Sequence, residues 1–165
     1  MNDVSKSPVS RTETALSAVA RWCGRLLLAL VAVQFAIVLA RYLLAVNFLW
    51  FQELAIYLHA AIFMLAAAWG LLCNKHVRLD VVSSHLGETG RRRVEIWGTV
   101  LLLVPMMLAT IVTSTPYVLQ SWSILEGSTE VSGLPGLFLL KSLLPVFALL
   151  MLIAGIASLR RLYGR

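Results

Sequence analysis

One uninterrupted apolar run limits the folds open to this chain more than any other feature of its sequence. From Leu54 to Cys73 its only strongly polar side chain is His59. A helix of about twenty residues is long enough to cross roughly 30 Å of hydrocarbon. Charged groups mark both ends, with Glu53 before the run and a basic segment, 75–93, after it. The run therefore predicts a membrane span whose two ends have different surroundings.

The composition assigns the whole chain to the same class of protein. Hydrophobic residues make up 59% of the 165 residues and charged residues only 13%, which is too apolar for a soluble domain of this size. The net charge of +6 does not indicate nucleic acid, because the basic residues lie at the ends of apolar runs and form no groove-reading motif. The two cysteines, Cys23 and Cys73, lack metal-binding or redox spacing and are expected to be free thiols.

Four segments are apolar enough to span a membrane, so the predicted fold is an all-α integral membrane protein of two helical hairpins. Residues 1–20 are expected to form a mobile tail, and 21–165 a single membrane domain with spans at about 22–46, 52–74, 95–119 and 138–159. The first span follows basic residues, as a signal peptide would, but no small-residue cleavage site follows it, which favours an uncleaved span. Asn47 predicts a tight turn in the first hairpin, and Pro105 and Pro116 predict kinks in the third span.

The segment 75–93, between the second and third spans, has two interpretations. Its apolar residues could line one side of a short amphipathic helix on the cytoplasmic membrane surface, ended by Gly87. These residues are Val77, Leu79, Val81, Val82 and Leu86. A plain polar loop is the alternative.

The distribution of Lys and Arg predicts the orientation of the spans. Basic residues are plentiful in the N-terminal tail, in 75–93 and at the C-terminus, whereas the loop 121–136 has none. Because cytoplasmic loops are enriched in Lys and Arg, both termini and the central segment are predicted to be cytoplasmic. The five tryptophans then fall near a membrane surface, at the inner span ends (Trp22, Trp69, Trp97) or the outer ones (Trp50, Trp122).

Only Arg41 and Lys141 remain outside this count of Lys and Arg, and together with Glu53 they are the informative charges near the outer face. Arg41 lies six residues before Asn47 and Glu53 six after it, so a hairpin places them at similar depth. One interpretation is that all three side chains snorkel to the interface. A structural ion pair or subunit contact is the second, because charges within a membrane tend to be paired, and a direct ion or substrate site is the third.

His59 is the only histidine within a predicted span. A haem or metal site in the membrane would need a second ligand there, so a buried histidine that hydrogen-bonds at a helix contact is the better interpretation. The sequence has no Gly-rich phosphate loop, no HExxH, no GxSxG and no pair of carboxylates within one span. We therefore expect no enzyme activity, catalytic residue, metal site or cofactor.

Several short motifs together resemble one family of membrane proteins. They are Trp50, Gln52 and Glu53 at the start of the second span, then His76-Val77-Arg78-Leu79-Asp80, Glu126-Gly127-Ser128, Gly133-Leu134-Pro135 and Lys141-Ser142 with Pro145. Over roughly Arg41 to Leu159, their order and the four-span layout resemble the small membrane subunit, of the DctQ type, of tripartite ATP-independent periplasmic (TRAP) transporters. The sequence departs from the family pattern at Gly136, where many members carry a larger or aromatic residue.

The resemblance implies a bacterial inner-membrane complex of three proteins. A periplasmic solute-binding protein would capture a solute, often an organic acid, and a large permease subunit of about twelve spans would move it with a sodium gradient. The small subunit would be a scaffold for the large one, in contact with membrane lipid. Seven positions that match the family pattern become candidates for fold maintenance or subunit contact: Glu53, His76, Arg78, Asp80, Gly133, Pro135 and Lys141.

Three other functions fit parts of the sequence. A small multidrug/proton antiporter also has four spans and one membrane carboxylate, but Glu53 lies at a span end and the charge bias is strong. A membrane anchor of a haem or quinone oxidoreductase would use His59. A structural or regulatory partner of an unrelated complex is the third alternative.

Overall fold

The computed structural model of the chain describes residues 11–73, 87–130 and 132–163. Within these ranges every regular element is a helix, and four helices are long and apolar enough to cross a membrane. The elements are α1 (Arg11–Leu43), α2 (Leu49–Leu72), α3 (Glu88–Trp97), a π-helical segment (Gly98–Leu103), α4 (Val104–Ser123) and α5 (Leu137–Tyr163). The predicted all-α membrane fold is thereby confirmed, with α3, the π-helical segment and α4 forming one continuous third span.

Helix α1 begins earlier in the chain than the predicted first span. The half of the predicted tail that follows Arg11 is helical. Leu16 is 2% exposed and belongs to a small apolar cluster with Ala68 and Leu72 of α2. The packing of this one apolar side chain against a neighbouring helix stabilises the helix in an otherwise polar sequence, because tertiary packing contributes more to helix stability than intrinsic helix propensity does.

The four spans stand in a row rather than in a closed bundle. α1 packs beside α2, α2 beside α5 and α5 beside the third span, whereas α1 and α5 touch only slightly. Ala68 of α2 and Ala154 of α5 are fully buried, and Ala157 of α5 nearly so. Small residues of this kind allow helices to approach closely in a membrane. Most large apolar side chains therefore remain on the outside of the row.

The third span is irregular just before Pro105. Pro105 has no N–H to donate to the carbonyl of Leu101, and its ring would clash with that carbonyl in a regular helix. A π-helical segment that ends at Leu103 precedes the proline, and such single-turn π-bulges, like prolines, are a known source of irregularity inside α-helices. Gly155 of α5 packs against this segment, where a Cβ would lie 2.9 Å from Cδ2 of Leu103. Pro116 lies inside α4, which continues on both sides of it.

Each hairpin turn contains a non-glycine residue in the left-handed conformation. Ala45 has a φ of 53° in the α1–α2 turn, and Leu125 has a φ of 45° after α4. The Glu126 N–H donates to the Ser121 carbonyl at 3.0 Å and the Leu125 N–H to the Trp122 carbonyl at 3.2 Å, which is the Schellman pattern of a helix end. A left-handed conformation costs a non-glycine residue roughly 1–2 kcal/mol, so other contacts must hold these turns.

The surface helix predicted within 75–93 lies mostly outside the described residues. Of that segment, the structure describes residues from Gly87 onward, and the chain from Glu88 belongs to α3. α3 runs without interruption into the π-helical segment. The last part of the predicted segment is therefore the beginning of the third span.

Candidate functional site

Glu53 joins the start of α2 to the loop between α4 and α5 (residues 124–136, the α4–α5 loop). Its Oε1 accepts a hydrogen bond from the Ser128 hydroxyl, and its Oε2 accepts one from the backbone N–H of Leu134 at 2.6 Å. These partners lie 75 and 81 residues further along the chain. Hydrogen bonds to a charged group are stronger than neutral ones. Glu53 therefore connects the first hairpin to the second.

Gly133 allows the α4–α5 loop to close around this carboxylate. A Cβ at Gly133 would overlap the Ser128 side chain and lie 2.7 Å from Oε1 of Glu53. The loop is also held by its own backbone, since the Ser128 N–H donates to the Leu134 carbonyl and the Gly133 N–H to the Glu130 carbonyl, both at 3.1 Å. A residue with a side chain cannot take the place of Gly133 unless its neighbours move.

Lys141, near the start of α5, forms an ion pair with Glu126 of the α4–α5 loop. Its Nζ also lies 4.0 Å from the ring centroid of Tyr117 on α4, within the range of a cation–π interaction. The Lys141 ammonium group holds the pKa of the Glu126 carboxyl below its ordinary value. This pair fixes the beginning of the loop to the helix that follows it.

An aromatic contact closes the same end of the α4–α5 hairpin. The indole Nε1 of Trp122 donates to the Ser142 hydroxyl at 2.8 Å. The Trp122 ring packs edge-on against Phe138 with centroids 4.7 Å apart. The Ser142 hydroxyl in turn donates to the Phe138 carbonyl at 2.8 Å. Trp122 in the last turn of α4 thus contacts two residues in the first turns of α5, Phe138 and Ser142.

A groove runs between α1 and α2 (the α1–α2 groove) and encloses about 530 Å³. Its lining includes four polar side chains: Gln34, Arg41, Gln52 and His59. The Arg41 guanidinium lies 3.4 Å from Oδ1 of Asn47 in the turn, and Nε2 of Gln52 donates to the same oxygen at 2.7 Å. The rest of the lining is formed by apolar side chains and Tyr42.

The residues predicted as structural or subunit contacts fall into three groups. Glu53 and Gly133 meet at the α4–α5 loop, and Lys141 binds Glu126 at the other side of the same loop. Pro135 is exposed in this loop and close to Gly127. Arg41 and His59 line the α1–α2 groove, away from that loop. His59 is exposed and has no hydrogen bond to a described residue, which differs from the buried, hydrogen-bonded histidine expected from the sequence. The remaining three, His76, Arg78 and Asp80, lie outside the described residues.

The partners of the charged residues could not be predicted from the sequence. Ser128 and Glu126 belong to a motif of the family pattern, but nothing in their spacing identifies them as partners of Glu53 and Lys141. Arg161 is one of the basic C-terminal residues from which the sequence predicts orientation alone. In the structure its Nη1 donates to the Leu72 carbonyl at 3.1 Å, which satisfies one of the free carbonyls at the end of α2. A basic residue late in α5 was the available signal.

The described residues include no group of three or more His, Cys, Asp or Glu side chains that could hold a metal ion. His59 lies in the α1–α2 groove, whose lining contains no second histidine and no cysteine. The arrangement can form hydrogen bonds and ion pairs, and it offers its apolar surface to lipid or to other helices.

Comparison with known proteins gives the family. Residues 11–165 match the family described as tripartite ATP-independent periplasmic transporters, DctQ component. No curated protein and no solved structure matches the chain. The match covers the four spans, the α4–α5 loop and all three groups of predicted contact residues. The chain therefore belongs to the DctQ family, the small permease component of TRAP transporters.

Proposed function

We propose that this chain is the scaffold for the large permease subunit of a sodium-driven, binding-protein-dependent transporter for an organic acid-type solute. The DctQ family is a transporter component family and not an enzyme family. It implies association with a large permease subunit and a solute-binding protein. We add to this family assignment a sodium gradient as the energy source, an organic acid as the solute class and a scaffold role for the chain.

The row of four spans is the observation that carries the scaffold role. A row has two broad apolar faces and little interior, and the most apolar stretch of α1 contains no buried residue. Transporters place solute and ion sites among polar groups or broken helices near the bilayer midplane. In this chain the carboxylates of Glu53 and Glu126 instead make their contacts at the α4–α5 loop, at one end of the spans. Such a row is suited to packing along a partner.

We further propose an inner-membrane orientation with both termini in the cytoplasm. The loop 121–136 has no Lys or Arg, whereas the N-terminal tail, the segment 75–93 and the C-terminus have several. Short loops rich in Lys and Arg remain cytoplasmic. The α4–α5 loop, with its fixed shape, would then face the periplasm and the binding protein.

Family membership favours this function over the antiporter and the oxidoreductase anchor. Glu53, the carboxylate that an antiporter would need, is hydrogen-bonded to Ser128 and Leu134 at a span end. His59, which an anchor would use for haem, has no second histidine near it in the α1–α2 groove. Neither residue has the surroundings that the alternative function requires.

Uptake in reconstituted vesicles tests the proposal. Vesicles would contain the large subunit with or without this chain, and the binding protein loaded with an organic acid would be added outside. We expect sodium-dependent uptake only when both membrane subunits are present. Undiminished uptake without this chain would contradict the scaffold role, and equal uptake when potassium replaces sodium would contradict the energy source.

A colour and mass measurement on the purified complex separates the alternatives. We expect the tagged chain to co-purify with one polytopic subunit and without visible absorbance. A haem spectrum would support the oxidoreductase anchor, and proton-coupled drug transport by the chain alone would support the antiporter.

A further inference from the structure

The α1–α2 groove carries polar side chains at two depths. Arg41 and Gln52 lie at its mouth, within three residues of the ends of their helices. Gln34 lies nine residues before the end of α1, and His59 ten residues after the start of α2. At 1.5 Å per residue both are about 14 Å from the hairpin turn, close to the middle of a hydrocarbon layer of roughly 30 Å.

The chain itself provides these groups with poor partners. Neither Gln34 nor His59 makes a hydrogen bond with any residue that the structure describes, and both side chains are exposed. The Arg41 guanidinium has the Asn47 side chain at 3.4 Å, and Gln52 holds the same oxygen more closely. Polar groups in hydrocarbon are costly unless a neighbouring helix satisfies them. The groove therefore needs a further component.

Three kinds of molecule could cover the groove, and the polar groups distinguish them. A phospholipid offers a phosphate to Arg41, but its acyl chains offer Gln34 and His59 no hydrogen-bond partner. A second copy bound about a two-fold axis would bring its own Arg41 against the first, and no residue that lines the groove is acidic. A transmembrane helix of another protein can present acceptors at both depths.

We propose that the α1–α2 groove binds a transmembrane helix of the large permease subunit. That helix carries a carboxylate at the depth of Arg41 and a hydrogen-bonding side chain at the depth of Gln34 and His59. The groove extends from Leu30 to Tyr42, which is about 18 Å or three helical turns. This inference rests on the proposed function, because it takes the partner to be the large subunit of the transporter.

Co-purification with the large subunit tests the two polar depths separately. Gln34→Leu and His59→Leu remove the hydrogen-bonding groups at the membrane centre and keep the side-chain bulk. We expect each to lower recovery of the large subunit about threefold, and the double variant about tenfold, as for hydrogen bonds between membrane helices. Thr113→Val is the matched control, since its hydroxyl lies on the third span and is bonded to the Ala109 carbonyl at 2.8 Å.

The charge at the mouth of the groove is tested by a pair of variants. Arg41→Glu should lower recovery more than either central variant, because it places a carboxylate against the partner's carboxylate. Arg41→Lys keeps the charge and should retain most of the recovery. Equal recovery with the two variants would contradict a carboxylate at this depth.

Photo-crosslinking tests the surface without changing a polar residue. A benzophenone side chain at Val38, which lines the groove, should form an adduct with the large subunit. The same group at Val112, 71% exposed on the third span, should not. An adduct of Val38 with lipid or with a second copy of the chain, or a large-subunit adduct from Val112 alone, would overturn the inference.

The two hypotheses fail in different ways. If the unaltered chain does not co-purify with the large subunit, the proposed function fails and the groove assignment with it. If the unaltered chain co-purifies but the groove variants recover as much partner as Thr113→Val, only the groove assignment is wrong.

Discussion

Glu53 and Arg41 lie close to the same hairpin turn, but they differ in how many contacts the rest of the chain makes with their charged groups. Both carboxylate oxygens of Glu53 accept hydrogen bonds from the α4–α5 loop. Arg41 faces a groove with only a long contact to Asn47 among the described residues. The α4–α5 loop is thus a region where the chain satisfies its own charge, and the α1–α2 groove is one where it does not. Contacts within the chain therefore account for the position of Glu53, whereas the surroundings of Arg41 are those that the proposed partner helix would complete.

The largest effect is expected at Glu53, because its removal breaks the link between the two hairpins. Glu53→Ala leaves the Ser128 hydroxyl and the Leu134 N–H without their acceptor. Hydrogen bonds to charged groups contribute about 1.5–3 kcal/mol each and are not fully additive, so we expect a loss of about 3 kcal/mol. Thermal unfolding in detergent should show a clearly lowered Tm.

Glu130→Gln provides the matched control for Glu53. Glu130 is an exposed carboxylate on the same loop, so its neutralisation should change stability by less than about 0.5 kcal/mol. If both variants lowered the Tm equally, net charge rather than the Glu53 hydrogen bonds would explain the loss.

Gly133→Ala should have the next largest effect. The added Cβ overlaps the Ser128 side chain and crowds Oε1 of Glu53, so we expect a loss of about 2 kcal/mol. Gly24→Ala is the control, because a Cβ there meets nothing within 4 Å and alanine favours a helix.

A double variant shows whether the Gly133 effect acts through the cluster. When Glu53→Ala has already removed the carboxylate, Gly133→Ala should cost less than it does alone. Additive losses in Tm would mean that the glycine acts elsewhere in the loop.

The ion pair at the other side of the loop should give a smaller, pH-dependent effect. Because the folded-state pKa of Glu126 is below its ordinary value of 4.5, the pair contributes fully above that value and is lost as the pH falls through the lower, folded-state pKa. The Tm difference between the unaltered chain and Glu126→Gln should therefore be constant at neutral pH and disappear on acidification. A difference that persists at low pH would show that the pair is not the cause.

The four spans could be predicted from the sequence, whereas the partners of their charges could not. Long apolar runs identify spans because hydrocarbon thickness fixes the length that a helix needs. The partner of Oε2 of Glu53 is the backbone N–H of Leu134, and a backbone group has no signature in the sequence. The Ser128 contact depends on how α5 packs against α2, which involves small residues such as Ala68 and Ala154 that also fit other packings.

The limits of the predicted spans were less accurate than their number. α1 extends to Arg11 because Leu16 packs on the cluster with Ala68 and Leu72. A single apolar residue in a polar segment is too weak a pattern to predict this contact. The polar groups of the groove were visible in the sequence only as isolated Gln and His residues. The packing of α1 against α2 puts Gln34 and His59 in one groove, and the sequence alone does not bring these two residues together.

The smallest effect on stability is expected in the α1–α2 groove, and this prediction tests the comparison most directly. Gln34 and His59 make no hydrogen bond within the described chain, so Gln34→Leu and His59→Leu remove no internal hydrogen bond. We expect the Tm of the isolated chain to change by the equivalent of less than about 0.5 kcal/mol, as for surface substitutions without a structural role. The same two variants should weaken binding of the large subunit. A loss of stability comparable to that of Glu53→Ala would mean that the groove, like the α4–α5 loop, serves the fold of the chain itself.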